Sequence, residues 1–294
     1  MLTCESLTSV FQSSREINIG DSSKLILMSD VHRGTNSKSD RFSKNKEIYF
    51  KVLYHYYNDN FTYIELGDGD ELWEYKDLRM ITKSNSGIFN LLNKFYKSNR
   101  LYFIYGNHDI EKRKYKYNNY YYSCDKNEKE FGKIFGKIKC HEGLILSYYD
   151  LGKIFLTHGH QVDFFNCNIW RFARFLVRYF WHIVELYLGI KDKTSPAKNI
   201  NKKNVIDHKI RRWSKDNNQM IITGHTHRAN FPKIDEAPYF NTGSCVYPGE
   251  IIGIEIENGE ITLVKWSQKE LNPNKVKRDI LSGPEKLQYF LDNK

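Results

Sequence analysis

The sequence predicts an α/β fold, and two observations support this. Short β-rich apolar runs recur along the chain, and helical patterns lie between the early runs, at 43–58 and 78–98. Farther along, the β-rich runs 251–257 and 261–266 flank the pair Asn258-Gly259. An Asn-Gly pair between two such runs is a strong hairpin signal, so the sheets should be mixed and not purely parallel.

Each of five apolar runs ends in a cluster of polar, ligand-type side chains. Continuous apolar runs of this length are typical of strands that are buried on both faces. In α/β folds, ligands bind beyond the carboxyl ends of the strands, so the clusters should converge in space. In chain order, the runs 25–28, 61–66, 101–105, 154–156 and 220–222 lead into Asp30 and His32, Asp68, Asn107 to Asp109, His158 and His160, and His225 and His227.

The clusters supply two carboxylates, one amide oxygen and four imidazoles for metal binding, and no thiolate. Four imidazoles argue against Mg²⁺ and Ca²⁺ and favour Mn, Fe, Zn, Ni or Co, of which Mn is our first expectation. Seven ligands are too many for one catalytic ion with an open position, so two divalent transition-metal ions should share a bridging carboxylate. The seven side chains are Asp30, His32, Asp68, Asn107, His158, His225 and His227.

In this order, the motifs Asp-x-His, Gly-Asp, Gly-Asn-His-Asp, His and Gly-His-x-His resemble those of the calcineurin-like metallophosphoesterase superfamily over residues 24–245. The resemblance implies a four-layer α/β/β/α sandwich of two mixed sheets. It also implies that Asp68 bridges the two ions and that a hydroxide between them attacks phosphorus in a phosphate ester or anhydride. One ion would bind Asp30, His32, Asp68 and His227, and the other would bind Asp68, Asn107, His158 and His225.

Other residues beside these motifs are candidates for catalysis and substrate binding. His108 resembles the family's non-ligand histidine, which stabilises the transition state or protonates the leaving group, and Asp109 could orient its ring. Arg33 and Arg228 each follow a motif histidine and could fork onto a phosphate, or they could be solvated surface arginines. His160 could face the substrate or only cap a turn.

The second motif bears on the substrate. Ser/Thr protein phosphatases of this superfamily carry Gly-Asp-x-x-Asp-Arg-Gly, whereas residues 67–73 read Gly-Asp-Gly-Asp-Glu-Leu-Trp. The segment is instead similar to that of UDP-2,3-diacylglucosamine pyrophosphatases, which implies a phosphorylated small-molecule or lipid-linked substrate. The alternatives are a phosphodiesterase or nuclease, a protein phosphatase, and a non-catalytic metal-binding scaffold. The complete set of ligands argues against the scaffold.

Length, charge and cysteine content limit the classes of protein to which the chain can belong. The 294 residues suit a single domain over 1–294, and the net charge of +10 favours acidic partners such as phosphate esters, nucleic acid or an anionic membrane. The composition typical of an AT-rich genome explains the same charge equally well. Five scattered cysteines without a C-x-x-C pair, no signal-peptide pattern over 1–20 and no long apolar stretch predict a cytoplasmic protein.

Two segments interrupt the alternation of strands and helices. Residues 111–140 are polar and tyrosine-rich and should form an insertion, while 161–218 should form a helical cap insertion over the site. Within the cap, residues 169–190 combine a polar stripe at helical spacing with a broad aromatic face. Such a helix can make a peripheral contact with the inner membrane face, line an acyl-chain groove, or be buried against the main domain or a dimer partner. The stripe consists of Arg171, Arg174, Arg178, His182 and Glu185.

Overall fold

A computed structural model describes residues 2–37, 39–113, 121–123, 131–133, 135, 138–163, 200–269 and 272–291. Two sheets, one of seven strands and one of five, lie face to face and have helices on their outer sides. Both sheets contain parallel and antiparallel pairs. This is the four-layer α/β/β/α sandwich of two mixed sheets that the family resemblance implies.

Strands and helices are numbered in chain order within the described ranges. The strands are β1 (Arg15–Ile19), β2 (Leu25–Met28), β3 (Thr62–Leu66), β4 (Leu101–Ile104), β5 (Tyr121–Ser123), β6 (Phe131–Lys133), β7 (Cys140–His141), β8 (Gly143–Tyr148), β9 (Gly152–Thr157), β10 (Met220–Thr223), β11 (Tyr239–Asn241), β12 (Glu250–Glu257), β13 (Glu260–Lys269) and β14 (Asn272–Lys286). The α-helices are α1 (Leu2–Ser13), α2 (Lys46–Asn58), α3 (Leu78–Ser84), α4 (Ser86–Lys97), α5 (Ile200–Asp216) and α6 (Gln288–Leu291).

The seven-stranded sheet has the order β14-β13-β12-β2-β3-β4-β7. Strands β2, β3, β4 and β7 are parallel, whereas β12 to β14 are antiparallel. The predicted hairpin joins β12 to β13, and Asn258 and Gly259 at its turn have φ angles of 55° and 72°. A two-residue turn of this hand matches the twist of the flanking strands, which confirms the hairpin.

The five-stranded sheet has the order β1-β8-β9-β10-β11 and is parallel except for the β8–β9 pair. Its inner face packs against the inner face of the other sheet. Along β2, Leu27 points into this central core and the adjacent Ile26 points into the outer core, so both faces of the strand are buried. The continuous apolar runs of the sequence therefore became strands covered on both sides, as expected.

Helices cover the outer faces of both sheets. Apolar residues of α2, α3 and α4 pack on the seven-stranded sheet, while α1 and α5 pack on the five-stranded sheet. The single helical pattern predicted for 78–98 is in fact two helices, because Asn85 interrupts it. Its Nδ2 atom donates to the carbonyl oxygens of Gly34, at 2.8 Å, and Ile81, at 2.9 Å.

The predicted insertions are described only in part. Residues 164–199, which include the predicted helix 169–190, lie outside the described residues. So do 114–120, 124–130, 134, 136 and 137 of the tyrosine-rich segment. At the other end of the predicted cap, Ile206, Ile210 and Trp213 of α5 pack with residues of the five-stranded sheet. None of the described helices has the length and hydropathy needed to cross a bilayer.

Candidate metal centre

The five polar clusters meet at one end of the sandwich. Strands β2, β3 and β4 of one sheet and β9 and β10 of the other each end just before a cluster. Among the described residues, three groups of ligand-type atoms form there, each with its atoms no more than 4.8 Å apart. One of them joins His32 to Glu71 and His108, and the other two consist only of predicted metal ligands. One group is Asp30, His32 and His227, and the other is Asp68, His158 and His225.

Short distances hold each of these two groups together, and His32 connects one group to the other. The Nε2 atom of His227 lies 3.0 Å from Asp30 Oδ1, and that of His158 lies 3.2 Å from Asp68 Oδ2. The Nε2 atom of His32 lies between the groups, at 3.9 Å from Asp30 Oδ1 and 3.8 Å from Asp68 Oδ2. The two groups therefore form one cluster with two neighbouring candidate metal positions, and Asp68 and His32 lie between these positions.

The atoms that face one another in this cluster are buried and lack hydrogen-bond partners. Buried polar atoms are normally paired, so a group of unpaired lone pairs indicates a cation site. The donor set, imidazole nitrogen with carboxylate and amide oxygen, fits Mn, Fe, Co, Ni or Zn. The buried atoms without a partner include Asp30 Oδ1, His32 Nε2, Asn107 Oδ1, His158 Nε2 and His225 Nε2.

Hydrogen bonds on the far side of the rings fix which nitrogen faces the cluster. The Nδ1 atom of His158 lies 2.8 Å from the carbonyl oxygen of Leu66, and Nδ1 of His32 lies 2.8 Å from Glu71 Oε2. A carbonyl or carboxylate oxygen can only accept, so both Nδ1 atoms carry the proton. Both Nε2 lone pairs are therefore free to bind a metal ion.

The backbone at the cluster adopts an uncommon conformation. Non-glycine residues rarely have positive φ, yet five of the predicted ligands do, and such residues concentrate at functional sites. A glycine is needed where the chain passes close to a ligand: a Cβ atom on Gly106 would lie 2.1 Å from Asp68 Oδ1. The five φ angles are 53° at Asp30, 50° at His32, 52° at Asp68, 70° at His225 and 56° at His227.

Carboxylates of the centre raise the pKa of two histidines. Burial opposes a charged imidazole, but Asp68 overrides it and raises the pKa of His158 to about 9. Burial likewise opposes a charge on His108, but Glu71 and then Asp68 raise the pKa of His108 to about 9. The centre thus attracts positive charge strongly, and a divalent cation would compete with these protons.

The acidic partner of His108 is Glu71 and not Asp109. The Nδ1 atom of His108 lies 2.8 Å from Glu71 Oε1, and the ring of Trp73 stacks on the imidazole at 4.2 Å and 19°. Asp109 instead accepts hydrogen bonds from the backbone N–H groups of Gly106, at 2.7 Å, and Gly69, at 3.0 Å. The prediction that Asp109 orients His108 is therefore wrong, because its carboxylate holds two motif loops together.

Arg33 does not bind phosphate in this arrangement. Its side chain is fully buried and donates to Glu65 at 2.6 and 2.9 Å and to Asp70 at 2.7 Å. Lys112, also buried, lies 2.8 Å from Asp70 and 2.6 Å from Asp109. The prediction of Arg33 as a substrate ligand is therefore wrong, because the guanidinium belongs to a buried ion network beneath the metal-binding loops.

The remaining predicted residues lie at the edge of the centre on the side of α5. His160 is buried, its ring lies 5.6 Å from that of His158, and its Nδ1 atom has no hydrogen-bond partner. Arg228 is half exposed and donates to Asn204 Oδ1 at 2.5 Å. Asp163, which sequence reasoning missed, places Oδ2 3.6 Å from His225 Nε2.

Lys203 of α5 was also missed by sequence reasoning. Only 6% of the residue is exposed, and its ammonium group has no hydrogen bond or ion pair with the residues that the structure describes. Burial lowers the pKa of Lys203, followed by the charge of Arg228, while Asp207 and Asp30 act in the opposite direction. The ammonium group thus lies among these charges without a direct ion pair to any residue that the structure describes.

Comparisons with known proteins were made on the sequence and on the structure. A family model for the calcineurin-like phosphoesterase superfamily domain matches residues 24–258. Comparison with curated protein sequences finds no match.

Several solved structures are similar to the chain. Vacuolar protein sorting 29 from Cryptosporidium parvum has 14% identity and a TM-score of 0.40 over 90% of this chain and 98% of that chain. A cold-active protein-tyrosine phosphatase of a psychrophilic Shewanella species has 12% identity and a TM-score of 0.39 over 91% and 83%. A putative 5'-nucleotidase from Staphylococcus aureus has 16% identity and a TM-score of 0.34 over 88% and 53%. Likenesses this distant carry no argument about activity.

Proposed function

The chain belongs to the calcineurin-like phosphoesterase superfamily, and we propose that it is a metal-dependent hydrolase of phosphate esters or anhydrides. The observation that carries this proposal is the cluster of unpaired, buried ligand atoms where the two sheets meet. A surface that served only protein interaction would not need them, because each buried polar atom without a partner destabilises the fold.

The proposed centre holds two divalent transition-metal ions, with Mn as the first candidate. Asp30, His32 and His227 would hold one ion and Asn107, His158 and His225 the other, with Asp68 bridging. When bound, two such ions supply an activated water and neutralise charge on the phosphoryl oxygens.

His108 provides the proton that the leaving group needs. Since Nδ1 faces Glu71, Nε2 is the nitrogen left to face the substrate. Its proton passes to the leaving oxygen as the bond between phosphorus and that oxygen breaks, and solvent later returns a proton to the ring. His108 N also donates to Asp68 Oδ1 at 2.8 Å, which places the residue directly beside the proposed bridging ligand.

For the substrate we propose a phosphorylated small molecule or a lipid-linked nucleotide sugar, as the Gly-Asp-x-x-Glu-x-Trp segment implies. Arg228, Lys203 and His160 line the side of the centre next to α5 and are the proposed substrate-binding residues. We further propose that the protein acts in the cytoplasm and that the segment 169–190 contacts the inner membrane face. The net charge of +10 suits each of these anionic partners.

Metal analysis and a substrate profile test the proposal together. Protein loaded with Mn²⁺ and desalted should carry about two ions per chain, as a two-metal site requires. It should hydrolyse at least one of four substrates: a nitrophenyl monoester, a nitrophenyl diester, a nucleotide sugar or a lipid-linked UDP sugar. The proposal would be contradicted if the protein retained no metal after loading with Mn²⁺ and desalting. It would also be contradicted if the metal-loaded protein hydrolysed none of the four substrates.

Two variants separate metal binding from chemistry. Asp68→Asn should lose both metal retention and turnover, because it removes the proposed shared ligand. His108→Ala should retain the metal but lower kcat on the order of 10²-fold, the usual contribution of a positioned acid. The control is Glu250→Gln, which removes the ion pair with Lys265 of β13 and changes none of the proposed ligands. His108→Ala protein with full activity on an unactivated ester would remove His108 from the mechanism.

A further inference from the structure

The loop between β11 and β12 runs directly beside the proposed metal ligand Asp30. The backbone N–H of Cys245 donates to the carbonyl oxygen of Asp30 at 3.3 Å, and Ser244 Oγ donates to the same oxygen at 3.4 Å. Tyr247 follows two residues later. Because a chain spans at most about 3.6 Å per residue, the Cα atom of Tyr247 lies within about 7 Å of that of Cys245. The loop therefore carries Tyr247 close to the metal centre.

A buried asparagine holds this loop in one shape. Its side chain, from Asn45 at the start of α2, is fully buried. The Nδ2 atom donates at 2.8, 2.6 and 3.0 Å to the carbonyl oxygens of Cys245, Tyr247 and Glu250, and Oδ1 accepts at 2.8 Å from the backbone N–H of Gly249. Since four hydrogen bonds fix the backbone, the loop does not have to be ordered when a ligand binds.

The loop presents the aromatic ring of Tyr247 to solvent. The exposed fraction of this residue is 41%, and its side chain makes no hydrogen bond or ring contact with the residues that the structure describes. Burial raises the pKa of Tyr247, the charge of Asp30 adds to the rise and that of Arg228 opposes it, so the side chain lies near both. A rigidly held, exposed ring beside the centre offers a face for stacking.

Two cations stand beside the same part of the centre. Arg228 follows the proposed ligand His227, whose Nε2 atom lies 3.0 Å from Asp30 Oδ1. The guanidinium is half exposed and donates through Nη1 to Asn204 Oδ1 at 2.5 Å, which leaves further N–H groups for an anion. Lys203 is 6% exposed and makes no direct ion pair with the described residues. These cations favour a ligand with a phosphoryl group besides the one at the metal ions.

We propose that Tyr247, Arg228 and Lys203 form a nucleotide subsite, an inference that deepens the proposed function and rests on it. The two cations bind the second phosphoryl group, and the ring of Tyr247 stacks on the base. Proteins commonly hold a base and its phosphates by this combination of an aromatic face and cations. Stacking tolerates every base, so uracil and adenine should both bind. A phenyl ester would instead leave both cations without a partner.

Four variants separate the ring from the cations. Tyr247→Ala removes the ring and should leave the loop intact, because Asn45 bonds only to its backbone. Tyr247→Phe keeps the ring and removes the hydroxyl group, whereas Arg228→Met removes a charge. The control Tyr289→Ala removes a tyrosine of similar exposure, 45%, from α6. That helix packs against the start of β9, whereas the metal ligand of this strand follows its end.

Calorimetry on Mn²⁺-loaded protein tests the subsite without requiring turnover. The ligands are the α,β-methylene analogues of UDP and ADP, which cannot be cleaved between the phosphorus atoms, and methylene diphosphonate, which carries no base. Tyr247→Ala should lower the affinity for both nucleotide analogues about fivefold to 100-fold, the usual contribution of one stacked base. Its affinity for methylene diphosphonate should stay within about twofold of the wild type, as should every affinity of Tyr247→Phe and Tyr289→Ala. Arg228→Met should weaken all three ligands.

The other outcomes would overturn the subsite. They are wild-type protein that binds neither nucleotide analogue, equal changes for all three ligands in Tyr247→Ala, and Tyr247→Phe as weak as Tyr247→Ala. A loss of affinity for phenylphosphonate alone in Tyr247→Ala would assign the ring to aryl esters and overturn the nucleotide. The proposed function fails separately: wild-type protein that binds the analogues as expected but hydrolyses no phosphate ester or anhydride would overturn the hydrolase and leave the subsite.

Discussion

The Nε2 atom of His158 lies 3.2 Å from Asp68 Oδ2, although the two residues follow strands of different sheets. His158 follows β9 in the five-stranded sheet, and Asp68 follows β3 in the seven-stranded sheet. A metal ion held by both residues would therefore tie the two sheets together at their open end, in addition to the apolar core between them.

Metal removal should therefore destabilise the whole sandwich as well as inactivate it. A ligand that binds only the folded state stabilises that state by an amount that grows with the logarithm of the ligand concentration above its Kd. We expect Mn²⁺ to raise the Tm of chelator-treated wild-type protein by several degrees. Asp68→Asn should show little or no rise, and Glu250→Gln should behave like the wild type. Differential scanning fluorimetry across a Mn²⁺ titration measures this, and an equal rise in Asp68→Asn would contradict Asp68 as a shared ligand.

The buried ion network should contribute to stability and not directly to the chemistry. Lys112 is 1% exposed and lies between the carboxylates of Asp70 and Asp109. Lys112→Met leaves Asp109 buried without its cation and Asp70 with Arg33 alone, which should lower the free energy of unfolding by about 3–5 kcal/mol. Urea unfolding of chelator-treated protein measures the change. Lys97→Met on the exposed face of α4 is the control and should stay within about 0.5 kcal/mol of the wild type.

The convergence of the candidate ligands could be predicted from the sequence, because each of them closely follows an apolar run that forms a strand, and these strands end on the same side of the sandwich. The errors arose where neighbours in sequence face opposite directions. His32 and Arg33 are adjacent, but the backbone at His32 is left-handed, with a φ of 50°, and the two side chains leave the chain in different directions. His32 therefore faces the centre, and Arg33, which bridges to Asp70, faces the buried network.

The partner of His108 could not be predicted for a related reason. Asp109 is adjacent in sequence, but its carboxylate turns towards the backbone N–H groups of Gly69, in the loop after β3, and of Gly106, in its own loop. Glu71 reaches His108 only because β3 and β4 are parallel neighbours in the sheet. Which side chains of the two loops meet depends on the register of β3 and β4. The spacing of residues within either motif gives no information about that register.

His141 should make stability depend on pH below neutrality. Burial, and then the nearby charges of Lys139 and Arg15, lower the pKa of His141 from 6.5 to about 4. As pH falls, the unfolded chain takes up this proton first, so the contribution is complete above pH 6.5 and is lost as pH falls from there through 4. His141→Gln should therefore show a smaller loss of Tm between pH 7 and pH 4 than the wild type. Both proteins are compared after chelation, and equal losses would contradict the prediction.

Lys203 should contribute to binding a substrate that carries more than one negative group. It is buried on α5 beside Arg228, and its ammonium group makes no direct ion pair with the described residues, so an anionic substrate would provide the missing partner. Lys203→Met keeps most of the apolar stem and removes the charge. We expect the affinity for UDP to fall about tenfold or more, as for a lost charge-assisted hydrogen bond, and the affinity for UMP to fall less.

Calorimetry on metal-loaded protein gives both affinities, and Lys215→Met, at an exposed position of the same helix, is the control. A loss that is equal for UMP and UDP would show that Lys203 does not contact the second phosphoryl group, and no loss for either would place it outside the binding site.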